Sequence, residues 1–461
     1  MPIPFDPWRS VTIAADVAIA SRARAEDLAE RSERRLQAVL EAAVHGSPMY
    51  RHLLGPHRGP LRLRDMPVVR KAELMRSFDS WCCDPALRLE PLRHFVADPG
   101  NIGRPFLDRY IVWESSGSSG QPALFVQDAA AMAVYDALEA FRKPELRPMR
   151  RLLDPLGMSE RIVFVGAIGG HFASTVSIER LRRLNPLLSQ SISSVSFLQP
   201  IELVTAQLDA CKPTVVATYP SAAVLLAGEF RAGRLHCAPA EVWTGGETLT
   251  PGMRRFVQEA FGCPVVDSYG ASEFLTLACA CRHGALHLNS DWAILEPVDE
   301  RGAAVAPGTA GATTLLTNLA NHVQPLIRYD LGDRVTVRAQ ACPCGSHLPV
   351  IEVNGRCDDT LHLGTETTRR VHVVPLALTT VLEEGAGLFD FQLVQDGPRE
   401  LSLSTAAHGK AACASLQRGR SVLGEFLREQ GAGAIRIRCL SGRPPRLGRS
   451  GKLQRVVGWC E

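Results

Sequence analysis

The stretch PTVVATYPSAAVLLAGEFRAGRLHCAPAEVWTGG, residues 213–246, decides the fold. Its two ends, 213–219 and 240–246, are short β-branched runs bounded by proline or glycine, which is typical of buried strands. Residues 221–232 between them carry a helical pattern of apolar side chains. Two such strands joined by a helix predict a parallel βαβ unit, because parallel strands need a long crossover connection.

The same pattern extends outward on both sides of this unit. Further strands are predicted at 161–167 and 263–270, and further helices at 128–143, 201–211 and 251–261. We therefore predict an α/β fold with mostly parallel sheets covered by helices. Ligands of such sheets usually bind beyond the carboxyl ends of the strands.

The chain divides into two predicted domains. Residues 1–355 form a large N-terminal domain, whose region 1–105 carries amphipathic helical patterns. The turn-rich stretch 354–366 marks the boundary. Residues 356–461 form a small, mobile α+β C-terminal domain that ends in a basic tail.

The composition is that of an ordinary soluble protein, with 46% hydrophobic and 21% charged residues among 461. A formal net charge of +3 is too small to indicate a nucleic-acid or membrane partner. The N-terminus lacks the pattern of a secretory signal, and no apolar stretch is long enough to span a bilayer. Thirteen scattered cysteines indicate a reducing compartment, so we expect a cytoplasmic protein.

A serine-glycine loop follows the apolar run 110–113 in the stretch WESSGSSGQPALF, residues 113–125. Backbone N–H groups of glycine-rich turns form anion-binding nests, and serine hydroxyls add donors. The loop therefore predicts a cradle for polyphosphate, although a flexible linker is the alternative. The candidate residues are Ser115, Ser116, Gly117, Ser118, Ser119 and Gly120.

Four later stretches carry side chains that suit a nucleotide site. In VVDSYGASEF (265–274), Tyr269 can stack on a base, Ser272 can bond a phosphate and Glu273 can ligate Mg²⁺. The other three stretches contribute one residue each: Asp333 in RYDLGDR, Arg356 in NGRCDD and Lys452 in GRSGKLQR. Singly, each stretch is more often a solvated turn. Their joint order along one chain favours function.

These ordered motifs resemble those of the adenylate-forming superfamily, which includes acyl-CoA synthetases, nonribosomal adenylation domains and luciferases. Within it, the chain is similar to the phenylacetate–CoA ligase branch. SPMYRHLL (47–54) and DMPVVRKAEL (65–74) resemble the N-terminal signature of that branch, and CPCG (342–345) before GRCDD is typical of it.

The resemblance implies an AMP-forming ligase that uses ATP and Mg²⁺ to convert a carboxylic acid into acyl-AMP and pyrophosphate. The serine-glycine loop would hold the β- and γ-phosphates, and Ser272 would contact the α-phosphate. Glu273 would hold Mg²⁺, Asp333 the ribose, and Arg356 the ribose or a phosphate. The adenine would be framed by Gly245, Gly246, Glu247, Asp267, Ser268 and Tyr269.

The C-terminal domain carries the catalytic lysine that the resemblance implies. Lys452 would bridge the acid and the α-phosphate; a surface lysine in a basic tail is the alternative. Asp358 stands at the hinge about which this domain rotates between the two half-reactions. The GxNxFP motif of the branch is missing after Gly364. In many relatives that loop lines the pantetheine tunnel, so the acceptor stays open between CoA, a carrier-protein thiol, an amine and nitrite.

The acyl pocket is predicted from small and aromatic residues near strand ends. FVGAIGGHFAS (164–174) surrounds His171, which is either a catalytic residue beside the carboxylate or a capped loop histidine. By family analogy, we expect an aromatic or amino-aryl acid of secondary metabolism. The pocket candidates are Tyr135, Ala167, Ile168, His171, Tyr219, Ser221 and Gly245.

ACACRHGALH (278–287) and CPCG gather cysteines and histidines in two short turns. Tetrahedral zinc takes four nitrogen or sulfur ligands from such turns, and a set of reduced cysteines is the alternative. The predicted ligands are Cys281, His283, Cys342 and Cys344, with Cys279 or His287 as substitutes.

A function of another class also stays open. The chain could be a catalytically silent nucleotide-binding scaffold, although Glu273, Asp333 and Lys452 argue for catalysis. Relatives of this branch are often dimers, so a homodimer is an open alternative to a monomer.

Overall fold

The computed structural model describes residues 5–55, 61–115, 122–144, 146–147, 154, 159–166, 168–184, 188–196, 199–356, 361–364, 370–373, 375–432, 435–446 and 454–459. Its first part is helical. The helices that follow Asp6 and Ser47 each have a proline at their first position. The side chain of Asp6 or Ser47 caps its helix by accepting a hydrogen bond from an N–H group of the first turn. The helices are α1 Pro7–Ala20, α2 Ala25–Gly46, α3 Pro48–Leu54, α4 Lys71–Arg76, α5 Phe78–Trp81 and α6 Leu89–Ala97.

The N-terminal helices share a hydrophobic core with the main body of the protein. One cluster of buried apolar side chains extends from Val17 to Ile351. Tyr50 Oη and Trp81 Nε1 both donate to the carbonyl of Pro325, at 3.2 and 2.6 Å. The helical region is therefore fixed to the segment that precedes RYDLGDR.

The serine-glycine loop connects two paired strands. β1 Ile111–Glu114 and β2 Leu124–Gln127 are antiparallel, with Glu114 opposite Leu124. Helix α7 Ala129–Phe141 follows, and Asp128 caps it by accepting from the N–H of Ala131 at 2.8 Å.

A nine-stranded sheet forms the centre of the large domain, in the order β13-β14-β9-β8-β7-β6-β5-β3-β4. The elements are β3 Ile162–Gly166, α8 Ala173–Leu184, β4 Ile192–Ser196, α9 Ile201–Cys211, β5 Val215–Thr218, α10 Pro220–Arg231, β6 Glu241–Gly245, α11 Pro251–Phe261, β7 Val265–Ala271, β8 Phe274–Ala280, β9 Leu286–Leu288, β10 Ala293–Val298, β11 Thr313–Asn318, β12 Tyr329–Asp330, β13 Asp333–Val337 and β14 Val350–Arg356. Strands β10, β11 and β12 form a separate small sheet.

Half of the large sheet is parallel and half is antiparallel. The strands predicted from 161–167, 213–219, 240–246 and 263–270 are β3, β5, β6 and β7, which pair in parallel with helical crossovers. Only Ser272 and Glu273 separate β7 from β8, so these two strands form a hairpin. The chain continues antiparallel through β9, β14 and β13.

The C-terminal part has its own hydrophobic core, with buried side chains from Leu361 to Val456. A four-stranded sheet in the order β19-β18-β17-β20 packs against one long helix. The elements are β15 Leu361–Gly364, β16 Arg370–Val373, α12 Pro375–Thr380, a π-helical turn Val381–Gly385, β17 Gln392–Gly397, β18 Glu400–Thr405, α13 Lys410–Glu429, β19 Arg436–Ser441 and β20 Val456–Val457. The predicted α/β fold class with a smaller C-terminal domain is confirmed.

Among the helices that the structure describes, none has both the length and the apolar character needed to cross a lipid bilayer.

Candidate active site

The base of the serine-glycine loop is closed by two hydrogen bonds. The N–H of Ser115 donates to the carbonyl of Ala123 at 2.8 Å, and the N–H of Ala123 donates to Ser115 Oγ at 2.9 Å. Ser115 is therefore buried at the loop base. The predicted phosphate ligands Ser116, Gly117, Ser118, Ser119 and Gly120 lie outside the described residues.

The β7–β8 hairpin turn joins this loop to the rest of the site. Trp113 at the end of β1 donates from Nε1 to the carbonyl of Ser272 at 2.7 Å. Asn318 Nδ2 donates to the carbonyl of Glu273 at 3.0 Å. The hydroxyl of Tyr329 donates to Glu273 Oε1 at 2.9 Å, so both the backbone and the carboxylate of Glu273 are held.

A second contact joins the hairpin to the RYDLGDR segment. The hydroxyl of Tyr269 on β7 donates to Asp333 Oδ2 on β13 at 2.6 Å. Asp333 also stands opposite Arg356 in the β13–β14 pair. The phenol therefore orients the carboxylate that the sequence assigns to the ribose.

The end of β6 leaves little room beside β7. A methyl group added to Gly245 would lie 2.9 Å from Ser268 Oγ, and Gly246 has a left-handed φ of +79°. Both positions therefore favour glycine. Ser268 Oγ donates to the carbonyl of Thr244 at 3.0 Å. One carboxylate oxygen of Glu247 accepts from the N–H of Ser221 at the start of α10, at 3.0 Å.

Asp267 is buried beside the end of β6 and is not exposed there. It is 8% exposed, and Thr244 Oγ1 donates to its Oδ1 at 2.7 Å. Burial raises the pKa of Asp267 from 3.8 to about 6, although the bond from Thr244 and the charge of Arg254 act in the opposite direction. The carboxyl is therefore placed to support the strand end.

This raised pKa predicts the pH dependence of stability. Because the folded-state pKa exceeds the unfolded value, the contribution of Asp267 is fully present below pH 4 and is lost as the pH rises through 6. The free energy of unfolding of the wild type relative to Asp267→Asn should fall by roughly 3 kcal/mol over this range, at about 1.4 kcal/mol per pKa unit. Urea unfolding at pH 3, 5 and 7.5 measures the difference. A difference that stays constant with pH would contradict the buried, titrating carboxyl.

Two predicted pocket residues are packed into the core. Tyr135 on α7 is 1% exposed, its ring is edge-on to Phe274 at 5.0 Å, and its hydroxyl accepts from Asn318 Nδ2 at 3.0 Å. His171 is also 1% exposed, its ring lies 5.9 Å from that of Phe95, and burial lowers its pKa. This burial fits a packed loop histidine, and the role of His171 beside the carboxylate stays a prediction.

The other pocket candidates lie near the ends of β3, β5 and β6. Tyr219 immediately precedes α10, and its ring is edge-on to Phe164 at 6.5 Å. Ser221 is in the first turn of α10, and Ile168 is partly buried two residues after β3. Ala167 lies outside the described residues.

A cluster of metal-ligating side chains lies beyond the other end of β8. Its ligand atoms all lie within 4.8 Å of one another, and its members are Cys281, His287, Cys342 and Cys344. The Sγ atoms of Cys281 and Cys342 are 3.8 Å apart, close to the ~3.8 Å edge of a tetrahedron with 2.3 Å zinc–sulfur bonds. His287 Nε2 is 3.3 Å from the Sγ of Cys344.

The surroundings of this cluster also suit a metal site. His287 Nδ1 lies 2.8 Å from the carbonyl of Leu348, which orients Nε2 toward the cysteines. Backbone N–H groups of His283 and Ser346 donate to the Sγ atoms of Cys281 and Cys344, each at 3.4 Å. His287, the substitute ligand of the sequence interpretation, thus completes the set in place of His283. Cys279 is buried in β8 and is not part of the group.

The predicted site residues of the C-terminal part fall partly outside the described residues. Lys452 and Asp358 lie outside the described residues, as does the altered stretch 365–369. Arg356 ends β14. Arg446 and Gln454, on either side of Lys452 in the chain, are both described.

Sequence reasoning missed the residues that hold the hairpin. Trp113, Asn318 and Tyr329 each bond the Ser272–Glu273 turn, yet no spacing rule identifies them. Two of them lie in stretches that the sequence analysis had selected, because Trp113 ends the apolar run before the loop and Tyr329 stands inside RYDLGDR.

Comparison with known proteins gives three findings, and no family model matches the sequence. A phenylacetate-coenzyme A ligase of Thermus thermophilus is 26% identical over 377 residues, which cover 77% of this chain and 75% of that protein. A 2-hydroxyisobutyryl-CoA ligase in the postadenylation state, in complex with R3-HIB-AMP, superposes with a TM-score of 0.70. That match has 19% identity and covers 95% of this chain and 91% of the ligase. The same ligase in the thioesterification state, with 2-HIB-AMP and CoA, is 21% identical, has a TM-score of 0.56 and gives the same coverage.

Proposed function

We propose that this chain, which resembles the phenylacetate–CoA ligase branch of the adenylate-forming ligases, converts a carboxylic acid and ATP into acyl-AMP and pyrophosphate. One observation carries this proposal. The β7–β8 hairpin is hydrogen-bonded to the base strand of the serine-glycine loop and, twice, to the RYDLGDR segment. Three motifs that are far apart in the sequence thus meet at one hairpin.

Each motif would hold one part of the nucleotide. The loop from Ser115 to Gly120 would bind the β- and γ-phosphates through N–H and hydroxyl groups. Ser272 would contact the α-phosphate, and the Glu273 carboxylate, oriented by Tyr329, suits Mg²⁺. The ribose would be bound by Asp333, with Arg356 on the ribose or a phosphate. The adenine would lie against Tyr269, framed by Gly245, Gly246, Glu247, Ser268 and, from below, Asp267.

The chemistry requires positioning and charge neutralisation. A carboxylate oxygen of the acid attacks the α-phosphorus, and the bond from that phosphorus to the bridging oxygen of pyrophosphate breaks. Lys452 would place its ammonium between the two negatively charged reactants, which stabilises the transition state more than the separated reactants. Mg²⁺, when bound, neutralises phosphate charge.

The Tyr269–Asp333 bond gives a specific prediction. Tyr269→Phe keeps the aromatic ring but removes the hydroxyl that holds the Asp333 carboxylate at 2.6 Å. We expect the KM for ATP to rise about 5- to 30-fold, equivalent to ~1–2 kcal/mol for a hydrogen bond to a charged group, with kcat little changed. Steady-state pyrophosphate release measures both constants.

Tyr110→Phe is the matched control for this variant. Tyr110 Oη donates to Asp84 Oδ2 at 2.5 Å, which is the same kind of pair at a place without nucleotide motifs. Its KM for ATP should equal that of the wild type. Equal effects of the two variants on KM would contradict a nucleotide role for Tyr269.

The acid and the acceptor belong to the same proposal. An aromatic or amino-aryl acid is our first choice, bound near Tyr219, Ser221, Ile168 and Gly245. CoA or a carrier-protein thiol is the proposed acceptor, and an amine or nitrite is the alternative. Because the GxNxFP motif of the pantetheine tunnel is missing, all four acceptors should be tested.

Structural zinc is proposed at Cys281, His287, Cys342 and Cys344, since the four donor atoms lie within 4.8 Å of one another, the Cys281–Cys342 distance matches a tetrahedral edge, and His287 is oriented by the carbonyl of Leu348. The metal would tie the end of β8 to the loop between β13 and β14. It would thereby stabilise β8, which begins directly after Glu273, and β13, which begins at Asp333.

Three broader predictions are kept as proposals. The domain boundary near residue 355 is supported by the separate core between Leu361 and Val456. A cytoplasmic location is supported by the free thiols of all described cysteines. A homodimer is supported by the exposed apolar side chains Trp8, Val11 and Ile19 along α1.

The proposed function is tested by pyrophosphate release from ATP and Mg²⁺ across aryl, amino-aryl and alkyl acids. Each acid is run with and without CoA, and hydroxylamine traps the acyl-AMP. Acid-dependent release and a hydroxamate product support adenylation. An acyl-CoA product identifies CoA as the acceptor. No release and no ATP-dependent product with any acid would favour the silent scaffold.

A further inference from the structure

One buried glutamine joins the two ends of the lysine-bearing segment. Gln392, the first residue of β17, is 4% exposed. Its Oε1 accepts from the N–H of Arg446 at 3.1 Å. Its Nε2 donates to the carbonyl of Arg446 at 3.1 Å and to the carbonyl of Gln454 at 2.9 Å. Residues 447–453, which include Lys452, are therefore bracketed by contacts to a single side-chain amide.

Gln392 is itself held in place by the sheet. Its backbone carbonyl accepts from Ser404 Oγ at 3.2 Å, and its neighbour Leu393 donates to the carbonyl of Arg455 at 2.8 Å. Strand β20 then runs parallel to β17, with Leu393 opposite Val456. The amide thus stands on a rigid strand, which suits a group that must position another residue.

The far end of the segment is anchored to the large domain as well. Arg455 pairs with Glu383, donates to the carbonyl of Phe389 at 2.9 Å and lies 4.2 Å from the ring centre of Phe391. Glu383 also accepts from Thr250 Oγ1, which caps α11. Arg455, through Glu383 and Thr250, therefore connects the C-terminal end of the segment to the helix that follows the Gly245–Glu247 strand end.

We propose that Gln392 is a positioning residue for Lys452, acting by fixing both ends of the segment that carries the lysine. This inference rests on the proposed function, because it assigns Lys452 to adenylation. Lys452 is two residues from Gln454 in the sequence, so we expect a shift of that anchor to displace the lysine. A misplacement of about 1 Å at a reacting group can lower a rate by ~10²-fold.

The hydrogen bonds of Gln392 to Arg446 and Gln454 require a side-chain amide. Two carbonyls and one N–H face the side chain, and only a group with both donors and an acceptor satisfies all three. Leucine leaves the two carbonyls and the N–H without this partner. Gln392→Glu has the same shape, but its carboxylate would face two carbonyl oxygens. Protonation at lower pH restores one donor, so part of the activity of this variant should return as the pH falls from 8 to 6.

Gln395, three residues along the same strand, is a matched control. It is 2% exposed, its Oε1 accepts from the N–H of His362 at 3.0 Å, and its Nε2 donates to the carbonyls of His362 and Gly397 at 2.8 and 3.1 Å. The hydrogen bonding is equivalent, but the tethered strand is β15 and not the lysine segment. Gln395→Leu removes the same kind of amide without touching Arg446 or Gln454.

The experiment compares wild type, Gln392→Leu, Gln392→Glu and Gln395→Leu in two assays. Pyrophosphate release with the most active acid of the panel should show a ~10- to 100-fold lower kcat for Gln392→Leu, an unchanged KM for ATP, and a near-normal kcat for Gln395→Leu. Amide hydrogen exchange should be faster at Arg446 in Gln392→Leu alone.

Several outcomes would overturn the inference. A wild-type kcat in Gln392→Leu, an equal loss in Gln395→Leu, or unchanged exchange at Arg446 would each contradict the positioning role. A wild type that releases no pyrophosphate with any acid would instead contradict the proposed function. The two failures are therefore distinguishable.

Discussion

Replacing Lys452 with alanine is expected to abolish most adenylation while leaving the fold intact. The resemblance assigns this ammonium to the acid and the α-phosphate during the first half-reaction. Loss of one preorganised group that stabilises developing charge costs ~10²- to 10³-fold in kcat. Acid-dependent pyrophosphate release measures the loss, and thermal unfolding should show a transition unchanged from that of the wild type.

Lys410→Ala is the control for charge in the same part of the chain. Lys410 is exposed at the start of α13 and belongs to none of the nucleotide motifs. Its variant should retain wild-type activity. If Lys452→Ala also retained wild-type activity in an active enzyme, Lys452 would be a surface lysine of the basic tail.

Loss of the proposed zinc site should have the largest effect on stability. Cys342→Ser or His287→Ala removes one of the four clustered ligands. We expect the purified variants to lose bound zinc and at least ~3 kcal/mol of unfolding free energy. This is less than the ~10–16 kcal/mol of metal-driven zinc-finger folding, because the surrounding strands are ordered by the sheet. Elemental analysis and urea unfolding measure the two quantities.

Two variants separate this site from a set of reduced cysteines. His283→Ala should keep the zinc, since His283 contributes its backbone N–H to the Sγ of Cys281. Cys413→Ser, at an exposed free cysteine, should keep it too. Wild-type protein that binds no zinc after purification in zinc-containing medium would contradict the metal site.

Within the parallel half, β3, β5 and β6 were predictable because each lies in a short apolar or β-branched run that is followed by a helix. The run 213–219 contains β5, and 240–246 contains β6. The strands of the antiparallel half were not predicted individually. β9 covers only Leu286–Leu288, and so short a run carries no period that distinguishes a strand from a turn.

The site residues also divide into those that sequence motifs identified and those that only the fold reveals. Motif residues such as Tyr269 and Asp333 do approach each other, because one hydrogen bond joins their side chains. Tyr135 was assigned to the pocket by its chemistry, and the structure places it on the buried face of α7. Gln392 has no sequence signal, since a polar residue in a strand shows its role only when the distant Arg446 and Gln454 are placed beside it.

The histidine of the Cys/His cluster shows why sequence spacing alone left His283 and His287 as alternative ligands. His283 and His287 are both near Cys281 in the sequence. In β9, His287 is directed toward Cys344 on one side and bonded to Leu348 on the other. Local spacing cannot predict this arrangement, because it depends on the pairing of β9 with β14.

Transfer of ¹⁸O from the acid to AMP tests the central claim most directly. An acid labelled in both carboxylate oxygens is incubated with the protein, ATP, Mg²⁺ and the acceptor, and the recovered AMP is analysed by mass spectrometry. If the carboxylate attacks the α-phosphorus and the acceptor then displaces AMP at the acyl carbon, each AMP carries one ¹⁸O. Acid-dependent turnover that yields unlabelled AMP, or ADP and phosphate, would contradict adenylation.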